Sequence, residues 1–81
     1  MRERIEIGFQ TFVSGREEEF GAVRAISPRE LTVYVENSGD FRVPIEAVVK
    51  VGFGKVTFDR KKLDQALREA IGHAHDAETR R

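Results

Sequence analysis

Cysteine and tryptophan are absent from this 81-residue sequence, which also has only two prolines, one tyrosine and one methionine. Without cysteine there is no disulfide, no thiolate metal site and no thiol nucleophile. Such usage suits a reducing compartment. No run approaches the roughly 18 apolar residues of a membrane-spanning helix, so no membrane partner is expected. The charged start "MRERIEI" does not read as a signal peptide, and a cytoplasmic location is the resulting expectation. Neither sign of charge is in excess, since fourteen Lys and Arg balance fourteen Asp and Glu. A dedicated nucleic-acid binder is usually basic overall or on one face. The balance therefore argues against nonspecific binding and leaves room for a local patch. Low-complexity segments, linkers and strict repeats are missing too. A chain of this length forms one domain that buries only about 60–65% of its unfolded surface. So thin a core makes oligomers a common remedy.

What is present is a series of short apolar pieces cut by turn residues. "IEIGFQTFV" (5–13) is rich in β-branched and aromatic residues and reads as a strand, with Gly8 a bulge or close-approach point. "FGAVRAI" (20–26) is a second strand, ended at Ser27-Pro28. "LTVYVE" (31–36) alternates: Leu31, Val33 and Val35 point inward, while Thr32 and Tyr34 face out. "NSGD" returns the chain into "FRV", completing a hairpin. Pro44 then ends that strand where no N–H is required and turns the chain through "PIEAV". "VVKV" and "KVTF" form a last hairpin around "GFG" (52–54). A helix is expected from an Asp59 N-cap onward, with Leu63, Leu67, Ala70, Ile71 and Ala74 on one face. Together these predict a mainly β fold: a small SH3-like barrel of about six short strands over residues 1–58, and a C-terminal helix and tail over 59–81.

Two stretches carry a family likeness. "IGFQTFVSGREEEFGAVRAI" (7–26) has a glycine before an apolar residue, a turn glycine and a G-x-V on the returning strand. "FRVPIEAVVKVGFGKVTF" (41–58) has Val43-Pro44 at a strand end and Val48 after the turn. In these features the chain resembles the PRC-barrel family. That resemblance implies a compact β-barrel used as a binding module, as in a ribosomal RNA maturation factor, where the barrel helps contact a ribosomal protein. The cytoplasmic part of the photosynthetic reaction centre's H subunit is a second example. The family has no catalytic motif, so the resemblance implies no active-site residue. The segment "RKKLDQALREAIGHAHDAETRR" is a departure from barrel-only members.

Several groupings have both a chemical and a plain reading. His73 and His75 would point roughly 200° apart on a helix and cannot share an ion. Glu69, His73 and Asp76 share one face by i, i+4 and i+3 spacing and could hold zinc in an open site. A solvated polar face explains them equally well, and no metal or other cofactor is expected. An acid–base pair of His73 and Asp76 would have no nucleophile, because the serines sit in turns. "GFGK" (52–55) lacks the following helix that a phosphate loop needs, so a hairpin turn is expected. Phe53 within it either tucks over the barrel end, the expected arrangement where core is scarce, or waits for a partner. "DRKK" places cations in the predicted helix's first turn, against the helix dipole, with Arg60, Asp64 and Arg68 as a compensating ladder. "REEE" reads as a solvated turn.

The expected activity is a non-enzymatic protein-interaction module. Its contact surfaces would be the face bearing Thr32 and Tyr34, the Phe53 turn, and the helix. A homodimer through the helix or a barrel edge would add the burial a small chain lacks. The alternative is an RNA- or ribosome-associated factor using Arg42, Lys55, Arg60, Lys61 and Lys62. Against it stands the lack of any aromatic residue visibly interleaved with these cations.

Overall fold

Alternation of apolar and polar residues sets the centre of the sheet. In the computed structural model, which describes residues 4–73, strand β3 (Glu30–Val35) buries Leu31, Val33 and Val35 completely and turns Thr32 and Tyr34 outward. β2 (Gly21–Ile26) and β4 (Gly39–Pro44) flank it in antiparallel register. β1 (Gln10–Val13) lies on the far side of β2, and the hairpin of β5 (Val48–Gly52) and β6 (Lys55–Phe58) completes the order β4-β3-β2-β1-β6-β5. All neighbours are antiparallel except β1 and β6, which run parallel.

The mainly β class, the six strands and the C-terminal helix are therefore present, but the sheet does not close by strand pairing. β4 and β5 remain its two edges. They are nonetheless close in space, because a single 3-10 turn, Ile45–Ala47, joins them. Four residue steps span at most about 14 Å, so the sheet must curl enough to bring the end of β4 near the start of β5. Ala47 plugs the seam, fully buried, and its carbonyl accepts from Asp59 N–H at 2.8 Å.

Pro44 makes this corner possible. Ile45 N–H donates to Arg29 C=O at 2.9 Å, so in the antiparallel alternation the preceding nitrogen points away from β3. β4 is an edge, and no other strand asks for that donor. The proline, at φ −63° and ψ 143°, costs the ladder nothing.

Two glycines answer backbone demands. Gly8 (φ +99°) occupies a turn closed by Phe9 N–H to Glu6 C=O. With Phe9 it opposes the single residue Val23, whose C=O takes Gly8 N–H and whose N–H reaches Phe9 C=O. This is a β-bulge, and it delays regular pairing of β1 until Gln10 rather than residue 5. Gly21 lies so close to β3 that any Cβ there would overlap the Tyr34 carbonyl.

The helix begins later than Asp59. That residue accepts from Lys61 N–H and opens only a 3-10 turn, Arg60–Lys62. Leu63 then adopts extended backbone and buries its side chain, and Asp64 caps α1 (Gln65–Gly72) by accepting from Leu67 N–H at 2.9 Å. The three cations of "DRKK" are thus outside the α-helix. Arg60 shares no helix with Asp64 and Arg68, so the expected ladder does not form. Leu63, Leu67 and Ala70 enter the core with Val13, Phe20, Val56 and Phe58, so the apolar stripe docks on its own sheet. Ala74 lies outside the described residues. Among the described residues no helix is long and apolar enough to cross a membrane.

Candidate functional site

The β5–β6 hairpin has a two-residue loop, since Gly52 and Lys55 are the last paired residues. Its loop residues, Phe53 and Gly54, have φ of +55° and +75°. Two positive φ values are the mark of a type I′ turn, which matches strand twist and favours Asn-Gly. A bulky residue at positive φ is an outlier. Holding it there costs about 1–2 kcal/mol relative to ordinary backbone. The hairpin has little freedom to relax, because Gln10 N–H donates to Gly54 C=O at 3.0 Å and ties the tip to β1.

The side chain gains nothing inside the fold in return. Phe53 is 95% exposed, so it does not tuck over the end of the sheet as expected. The outward direction follows from the turn: both loop residues lie beyond the last pair, past the reach of the core. Phe53 instead walls a hollow of about 180 Å³ with Lys50, Gly52, Lys55 and Thr57. Lys55 Nζ also sits 5.6 Å from the centre of the half-buried Phe12 ring. Aromatic and cationic groups are thus interleaved here, which the linear sequence did not reveal.

Register places other predicted residues on this same outer face. Asp40, Tyr34, Ala22, Gln10, Lys55 and Gly52 form one row of directly opposed residues across all six strands. Thr32 opposes Arg42 in the next row. Tyr34 is only partly open, because Arg24 lies 4.9 Å over its ring while binding Asp40 at 3.1 Å. Arg42 lies 3.7 Å from Glu30.

The five cations of the RNA reading are therefore not one patch. Arg42 and Lys55 are on the sheet face, and Arg60, Lys61 and Lys62 follow the opposite end of β6, whose length from Lys55 to Phe58 is roughly 10 Å. Arg60 meets different company. It lines a cleft of about 60 Å³ with Val13, Arg16, Arg68, Ile71 and Gly72. Arg16 and Arg68 were missed because the parallel pairing of β1 with β6 brings Arg16 to Arg60, and the docking of α1 on the core adds Arg68.

Of the zinc candidates, Glu69 accepts from Gln65 Nε2 at 3.1 Å and His73 is the C-cap of α1. Asp76 lies outside the described residues. Among the described residues, no three His, Asp or Glu side chains are grouped to hold a metal ion.

No protein-family model, no curated protein and no solved structure matches this chain.

Proposed function

We propose that this protein is a non-enzymatic interaction module that presents Phe53 to an apolar pocket on a partner protein. The observation that carries the reading is a phenylalanine held at φ +55° with 95% of its surface in water. Exposed aromatic residues on rigid turns make efficient interface anchors, since little entropy is lost on docking. Lys50 and Lys55 beside it favour a pocket with a carboxylate rim. Thr32 and Tyr34, on the same face, extend the contact. A PRC-type ancestry is part of the proposal. Its support is that residues 7–26 fold as a bulged hairpin and residues 41–58 as strand, corner and hairpin. A second copy is another candidate partner through the unpaired β4 or β5 edge, where Val49 is half exposed.

The test compares tagged wild type with Phe53→Asn in pull-downs from native lysate, with and without nuclease. Asparagine suits the turn, so loss of binding would not reflect misfolding. The expected result is a defined protein retained by wild type, lost with Phe53→Asn and indifferent to nuclease. Equal recovery by both proteins would refute the reading.

One observation favours the RNA-associated reading as second. Phe12 and Phe53 interleaved with Lys50 and Lys55 is an arrangement on which single-stranded bases stack. Nuclease-sensitive binding, with a strong salt dependence that Lys50→Ala and Lys55→Ala reduce, would support it over the first.

A further inference from the structure

Parallel strands finish at the same end of a sheet, so the segments leaving them converge there. Val13 and Phe58 are register partners at the ends of β1 and β6. The turn after β1 carries Arg16, whose N–H donates to Val13 C=O at 2.9 Å. The 3-10 turn after β6 carries Arg60. α1, held against the core by Leu67 and Ala70, adds Arg68. Three arginines from three separate elements thus line one cleft together with Val13, Ile71 and Gly72.

Among the described residues these three arginines differ from Arg24 and Arg42 in their ion pairing. Arg24 and Arg42 on the sheet face both have carboxylate partners. Among the described residues, none is within ion-pair distance of Arg16, Arg60 or Arg68. The nearest aspartates in sequence are engaged elsewhere, Asp59 with Lys61 N–H and Asp64 with Leu67 N–H. A neighbouring hollow shares Val13, Arg16 and Ile71 with this cleft and adds Glu18 and Glu19, which do not line the cleft itself. The cleft holds about 60 Å³, several times the roughly 10–15 Å³ one water needs, which is room for one tetrahedral oxyanion.

We propose that Arg16, Arg60 and Arg68 form a binding site for a phosphate monoester dianion. Guanidinium groups bind phosphate oxygens through paired N–H donors. Three of them in one cleft, with no ion-pair partner among the described residues, favour a dianion over the single charge of a phosphodiester. The site is independent of the Phe53 hairpin, which lies at the other end of β6.

The experiment is a titration of ¹⁵N-labelled full-length protein with inorganic phosphate at constant ionic strength, followed through backbone amides. Saturable shifts centred on Gly72, Ile71 and Arg16 are expected, and chloride should not produce them. Arg16→Ala and Arg68→Ala should each weaken binding about tenfold, while Lys61→Ala should leave it unchanged. Unperturbed amides elsewhere in each variant's spectrum will show that it folds. Parallel titrations with phenyl phosphate, dimethyl phosphate and a short single-stranded oligonucleotide separate the sources. Phenyl phosphate should match inorganic phosphate, and the other two should bind more weakly. Linear shifts spread over all cations, an undiminished affinity in both arginine variants, or preference for the diester or oligonucleotide would overturn the proposal.

Discussion

Two turns in this protein make the same demand and receive opposite answers. Between β3 and β4, Asn37 sits at φ +71°. Between β5 and β6, Phe53 sits at φ +55°. Asparagine is among the residues that tolerate left-handed backbone, since its short amide bonds locally and crowds little. Phenylalanine is not. Both side chains are exposed, so neither residue is chosen for the core. The first turn follows local preference, and the second departs from it with no compensating burial. Departures of this kind concentrate at functional sites. For that reason the Phe53 hairpin, rather than the better-shaped β3–β4 hairpin, carries the functional reading.

The largest effect expected is on the framework from which both turns hang. Gly21→Ala would force a methyl group into the Tyr34 carbonyl and should destabilise by about 3 kcal/mol, measured by urea unfolding. A wild-type midpoint would mean that β2 and β3 are not packed this closely. Exchanging the turn residues then tests the comparison itself. Asn37→Phe would recreate the strained arrangement in the ordinary turn and should cost about 1–2 kcal/mol. Phe53→Asn should raise stability by about 1 kcal/mol, because it restores the Asn-Gly preference of a type I′ turn. If both substitutions were neutral, the two turns would be equally relaxed and the case for Phe53 would weaken.

The smallest effect concerns a second residue set against its surroundings. Thr11 is fully buried, and among the described residues its hydroxyl has no hydrogen-bond partner. Thr11→Val keeps the shape and removes the unsatisfied group, so a gain of up to about 1 kcal/mol is expected in the same unfolding experiment. A loss would mean that the hydroxyl is bonded in solution, leaving Phe53 as the sharper exception.

Legibility followed distance along the chain. Thr32 and Tyr34 were placed correctly because strict alternation over β3 depends only on neighbouring residues. Pro44 was readable as a corner for the same reason, and Gly8 as a bulge or close-approach point, of which the structure has the bulge. The helix start was not, since both Asp59 and Asp64 are suitable caps in sequence. The burial of Leu63 between them, a tertiary event, interrupts the first turn and hands the helix to the second cap. Scarcity of core favours a Phe53 that covers the sheet, but a two-residue loop bound to β1 cannot bend back.

By itself, the sequence determined the class of fold, the boundaries of most strands and the positions of the turns. It also identified Phe53 as a residue at a hairpin tip. These follow from periodicity and turn chemistry, which act over a few residues. Only the tertiary structure decided that β1 pairs parallel with β6, that β4 and β5 stay unpaired, and that Phe53 points to solvent. It alone brought Arg16, Arg60 and Arg68 to one cleft. Parallel pairing joins segments from opposite ends of the chain, and its register is set by packing of the shared core. Nothing within either strand's own few residues names the other.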